Sequence, residues 1–205
     1  MIRRQFLILT GALGFFACQK PAEKTPPPAP APKRLPETGL DVPPDSVRVA
    51  IETSEGQIVL ELDGKHAPQS TANFLHYVDT HKLDTGTFYR AIRAGDAGFI
   101  QFNSGDRTYP PIPHEPTTET GLSHTDGAIS TARYAVGTAS NEFTLCVGDM
   151  TYLDAGGTAT PDKQGYAVFG HVVSGMDIVK RILKSRLKGE NLVNPVVITS
   201  AHRIA

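Results

Sequence analysis

Residues 47–64, VRVAIETSEGQIVLELDG, alternate apolar and polar positions on either side of a Ser-Glu-Gly turn. A period of two sends one face of each strand into a core, so the stretch predicts an antiparallel β-hairpin. The period then changes. In APQSTANFLHYVDTHKL, Thr71, Phe74, Leu75 and Val78 recur at helical spacing behind Pro68, a residue suited to the first turn of an amphipathic helix. Short strand patterns follow at 88–92, 99–103, 128–132, 143–147 and 167–173. A second helical pattern, GMDIVKRILKS, puts Met176, Val179, Ile182 and Leu183 on one face, and NPVVITSAHRIA closes the chain as a strand. Many strands with one early and one late helix predict a mainly β fold, a closed antiparallel barrel with its ends plugged by helices. A sandwich with flanking helices is the alternative.

The N-terminus departs from this pattern. MIRR is a charged leader, FLILTGALGFFA an apolar run, and Cys18 follows Ala17. The run falls short of the roughly 18 residues that cross a bilayer, so residues 1–18 are expected to be an export signal rather than a spanning helix; an uncleaved interfacial anchor is the other reading. RRQFL resembles a twin-arginine signal, and FFAC resembles a lipoprotein cleavage site in which Cys18 carries the lipid, although Phe16 stands where such sites favour a small residue. Residues 19–46 hold nine of the chain's 16 prolines and few large apolar groups. They are expected to form a disordered, semi-rigid tether, leaving 47–205 as the folded domain. An exported protein on the periplasmic side, anchored to the membrane through lipid, is the localisation this implies.

Composition narrows the function classes. A net charge of -1 gives no electrostatic reason to expect nucleic acid as a partner. The two cysteines lie in unrelated contexts and form no metal-binding spacing. His76 and His81 are five apart, off one helical face, and His114 starts HEPTTE rather than H-E-x-x-H, so no metal is expected. Residues 154–165, DAGGTATPDKQG, lack the lysine and the strand-to-helix setting of a phosphate loop and read as an inserted surface loop. That leaves Arg90, in the strand TFYRAI. A strand arginine is ordinarily solvated or ion-paired, and on its own it says nothing more.

In context it does. The order of GQIVLELDGKHAPQSTANFLHYV, FYRAI, IQ at 100–101, GAISTA, NEFTLCVGDMTYLD and GYAVFGHVVSGMDIVKRI resembles the cyclophilin family of peptidyl-prolyl isomerases over essentially all of 47–205. The resemblance implies an eight-stranded antiparallel barrel capped by two helices, no cofactor, proline-containing polypeptides as partners and a monomer. It makes Arg90 the catalytic arginine and Gln101 the amide that orients it and meets the substrate backbone. Phe99, Ala132, Leu153 and Tyr166 become the walls of the proline slot, Tyr152 the rim aromatic in the place of the family's tryptophan, and Arg133 the group that binds peptide backbone. Thr144 stands where the family has a phenylalanine floor, and Glu142 where it has a glutamine. AGDAG replaces the family's P-G-F-M before Phe99, and Phe102 and Asn103 replace its double glycine. These departures keep open a second reading, a weakened or inactive peptide-binding lipoprotein of chaperone type.

Overall fold

The computed structural model describes residues 33–105 and 108–205; the export signal, Cys18 and residues 19–32 of the expected tether lie outside the described residues. The strands are β1 (Ser46–Thr53), β2 (Gly56–Asp63), β3 (Thr87–Ala94), β4 (Ala97–Asn103), β5 (Ala128–Thr131), β6 (Glu142–Val147), β7 (Ala167–Ser174), β8 (Leu187–Lys188) and β9 (Asn191–Ile204). The helices are α1 (Pro68–Asp79), the four-residue α2 (Thr117–Thr120) and α3 (Met176–Leu183). Strand neighbours run β1-β2-β7-β5-β6-β4-β3-β9, and β9 returns to pair with β1, so eight antiparallel strands close into a barrel. Closure removes the unpaired strand edges that an open sheet presents. The two-residue β8 pairs only with β9, as the short arm of a hairpin.

Alternation sorts the side chains. Along β6, Phe143, Leu145 and Val147 point into the barrel, while Glu142, Thr144 and Cys146 face outward. Phe74 of α1 meets the rings of Phe102, Phe143 and Phe169 at centroid distances of 6.5, 4.9 and 5.6 Å. α1 is therefore a plug and not a surface helix: Gln69, Ser70, Ala72 and Asn73 are buried along with the expected apolar face. No residue of its own caps it. The Glu115 carboxylate, 45 residues on, accepts from the backbone N–H groups of Gln69 and Ser70 at 2.8 Å each, where the positive end of the helix favours an anion. On α3 Val179, Ile182 and Leu183 of the expected face are buried, Met176 packs partly buried against the same core, and Ile178 joins them.

One expectation is corrected. The tether assigned to 19–46 is not a free spacer at its C-terminal end, because residues 33–45 fold onto the domain. Arg34 and Asp41 bridge, Leu35 is buried, Gly39 takes a left-handed φ of 67° at the turn, and Thr38 donates to Gln69 at 3.1 Å. Buried Leu35 and Pro43, with the Thr38–Gln69 hydrogen bond to α1, hold a segment whose composition predicts no anchor.

Candidate active site

The barrel's outer face at β3, β4, β6 and β5 carries a groove of about 560 Å³. Strand register builds it: Arg90 of β3 lies opposite Gln101 of β4, Gln101 opposite Thr144 of β6, and Thr144 opposite Ser130 of β5. A β-bulge between Phe88 and Arg90 breaks the alternation of β3. Phe88 and Ala91 stay in the core, while Tyr89 and Arg90, adjacent in sequence, both serve the groove.

A hydrogen-bonded chain fixes the polar groups. Arg90 donates through Nε (2.9 Å) and one terminal nitrogen (2.5 Å) to Glu190 Oε2, and through the other terminal nitrogen to Gln101 Oε1 at 2.8 Å. Gln101 Nε2 donates to Glu142 Oε2 at 2.7 Å. Only this amide orientation satisfies both neighbours, since a guanidinium has no acceptor and a carboxylate no donor. Glu142 also accepts from Tyr89 Oη at 2.6 Å and from Asn103 Nδ2 at 3.1 Å. Burial, and then the hydrogen bond to that carboxylate, push the Tyr89 phenol well above its usual range. Three of Arg90's five N–H groups are engaged, which leaves two for the groove.

The other end is apolar. Phe99, Leu153 and Tyr166 join Ala128, Cys146, Met150 and Val168 in a second hydrophobic cluster outside the barrel. Ala132 completes that wall. Thr144 lies on the groove floor, 8% exposed, with its hydroxyl 2.6 Å from that of Ser130, so it brings no unpaired polar atom there. Among the sequence-predicted residues, Arg90, Phe99, Gln101, Ala132, Arg133, Glu142, Thr144, Leu153 and Tyr166 all line one groove.

Two assignments change. Tyr152, the expected rim aromatic, is not among the lining residues; it sits on the 3-10 turn Thr151–Leu153, which turns Leu153 into the wall instead. The aromatic at the mouth is Tyr134, 102% exposed on a turn held by Thr138, whose hydroxyl accepts from the backbone N–H groups of Tyr134 and Ala135 at 3.1 Å each. Arg133, expected to hold peptide backbone, has a side chain with no exposed area: its terminal nitrogens grip Asp162 at 2.8 and 2.9 Å and Nε donates to the Gly165 carbonyl. The guanidinium holds the Asp162 carboxyl far below the usual carboxylate range. Arg133 thus pins the 154–165 loop, and with it Tyr166, against the groove. Tyr89, Tyr134, Glu190 and Asp162 escaped the sequence reading. The only local signal was at Tyr89, where core residues Phe88 and Ala91 stand three apart in a strand of period two.

Behind the apolar wall, His124 is buried with Nδ1 2.6 Å from Asp154 Oδ1, and its Nε2 has no partner among the described residues. Burial pushes its pKa below 6.5, with Asp154 pulling the other way. The unfolded chain therefore binds this proton more readily than the folded one, so stability is fully present above about pH 6.5 and declines as pH falls toward the lowered folded value. Urea midpoints should drop between about pH 7.5 and 5, and His124→Asn should flatten that slope. A slope unchanged by the substitution would assign the acid sensitivity elsewhere, for instance to His76, whose pKa burial also lowers.

A capped, eight-stranded antiparallel barrel with a groove of this kind on its outer face defines a class of fold. Residues 48–203 match the family model for cyclophilin type peptidyl-prolyl cis-trans isomerases. The chain is 35% identical over 167 residues to peptidyl-prolyl cis-trans isomerase A of Dickeya dadantii, covering 76% of this chain and 84% of that one. It is also 35% identical over 162 residues to the isomerase cyp18 of Streptomyces antibioticus, covering 75% and 96%. In fold it is similar to a cyclophilin type isomerase of Cryptosporidium parvum, with a TM-score of 0.67 at 17% identity over 78% of this chain and 98% of that one. A second structure of that parasite protein was solved in the presence of the dipeptide Ala-Pro. The chain belongs to the cyclophilin-type peptidyl-prolyl cis-trans isomerase family.

Proposed function

We propose that this isomerase acts on X-Pro bonds of exported polypeptides, with Arg90 as its catalytic residue and Phe99, Ala132, Leu153 and Tyr166 as the seat of the proline ring. Rotation about an X-Pro bond must break amide resonance, a barrier of about 18–20 kcal/mol, and needs no bond to form or break. In the twisted state the prolyl nitrogen becomes pyramidal and basic. A donor aimed at it stabilises that state more than the planar ground state, which is the condition for catalysis. Arginine suits the task because it stays charged at every working pH. The observation that carries the reading is the fixation of the Arg90 guanidinium between Glu190 and Gln101, beside an apolar slot and with two N–H groups uncommitted. Gln101, with one amide N–H left, acts mainly by orienting Arg90.

The full protein should accelerate the proline-limited slow phase in the refolding of a denatured exported protein, in proportion to its concentration. A slow phase indifferent to the protein would favour the binding-only reading, whose support is the altered pair Glu142 and Thr144.

For location, the motivating features are the charged leader, the apolar run and Cys18. We infer a periplasmic lipoprotein. The mature protein should sediment with membranes and carry lipid on Cys18, and Cys18→Ser should release it into the soluble fraction or leave it unprocessed. Wild-type protein found wholly in the soluble exported pool without lipid would overturn the anchor and leave export standing.

A further inference from the structure

The charges along the groove do not balance. Arg90 is neutralised by Glu190, and Arg133 by Asp162. Glu142 is held only by neutral donors, the Tyr89 hydroxyl and the amides of Gln101 and Asn103, and no cation pairs with it among the described residues. A carboxylate has about four lone-pair sites, so one remains after those three bonds. Tyr89 and the fully exposed Tyr134 both line the groove beside Glu142. An anion with two tyrosine rings at hand is the arrangement that attracts an ammonium or guanidinium group.

We propose that this end of the groove is a subsite for a cationic side chain: Glu142, with Tyr89 and Tyr134, takes a lysine or arginine of the substrate two or three residues from the proline. The spacing follows from register. Glu142 lies opposite Asn103 and the apolar slot begins at Phe99, four residues along β4. At about 3.3 Å per residue that is roughly 13 Å, and a long cationic side chain supplies part of the span. Arg90 does not repel the ligand strongly, since Glu190 meets both its Nε and a terminal nitrogen. The subsite rests on the reading of the Phe99–Tyr166 end as the proline seat. It would make the enzyme prefer basic segments around proline, a preference that the glutamine of the family pattern, with no charge, does not create.

Binding without turnover tests it. Dissociation constants of the full protein are measured for hexapeptides with one proline and a lysine, glutamine or glutamate placed two or three residues before or after it. Lysine at the best position should bind about fivefold tighter than glutamine, and glutamate weaker than both, the difference shrinking as salt is raised. Glu142→Gln should bring the lysine-to-glutamine ratio close to one, and Tyr134→Ala, at an exposed position that cannot unfold the barrel, should lower it about twofold. Equal affinities for the three peptides, or a ratio that survives Glu142→Gln in a folded variant, overturn the subsite, as does failure of every proline peptide to bind. Isomerase activity without the preference removes the subsite alone; the preference without turnover keeps the subsite and removes the catalytic assignment.

Discussion

Arg90→Ala should lower kcat/KM for X-Pro isomerisation on the order of a hundredfold and leave the melting temperature close to that of the wild type. The guanidinium lies on the outer face of the barrel, in the groove, with its side chain 34% exposed. Its loss leaves Glu190, itself more than half exposed, to be solvated by water. What disappears, on the proposed mechanism, is a charge-assisted donor that acts in the twisted state. Such a bond is worth about 2–3 kcal/mol, and each tenfold in rate is about 1.36 kcal/mol. Arg90→Lys should recover only part of the loss, because an ammonium cannot hold Glu190, Gln101 and the prolyl nitrogen in one plane. A folded Arg90→Ala variant with unchanged rates would remove Arg90 from the mechanism.

The largest effect on stability should come from Phe74→Ala. Its ring is fully buried and touches Phe102, Phe143 and Phe169, one aromatic from each of three strands. Truncation removes the contacts and leaves a cavity that a closed barrel cannot collapse around, at a cost of about 3–5 kcal/mol. For a chain of this size that lowers the melting temperature by roughly 6–20 °C. The site itself is untouched, so isomerase activity should persist at temperatures where the variant is folded. A melting point within a degree or two of the wild type would mean that α1 does not plug this core.

Period-two and helical patterns made the barrel strands, α1 and α3 legible, because alternation is imposed by burial on one face and leaves its mark residue by residue. What escaped depends on partners distant in sequence. Glu115 caps α1 from 45 residues away, Glu190 reaches Arg90 across 100, and Asp162 clamps Arg133 from a loop with no periodicity at all. Leu35 anchors the segment before β1 although proline dominates its surroundings. Within the site, Arg90, Gln101, Phe99 and Leu153 were legible as parts of ordered motifs. The exchange of Tyr152 for Tyr134 at the groove mouth was not, because which loop side chain faces a groove is decided by turn geometry, here the Thr138 turn and the 3-10 turn at Thr151–Leu153. The pairing of the Arg133 side chain was illegible for the same reason: its neighbours in sequence give no sign of the Asp162 carboxylate that engages it.

The most direct test of the account is the cis-to-trans rate of proline tetrapeptides, followed by a coupled protease assay, with the full-length protein and its Arg90→Ala variant side by side. The wild type should add a rate proportional to its concentration and insensitive to pH near neutrality, since arginine does not titrate there, and the variant should lose about 99% of that increment. A wild-type rate equal to the uncatalysed one, at protein concentrations that saturate peptide binding, would contradict it.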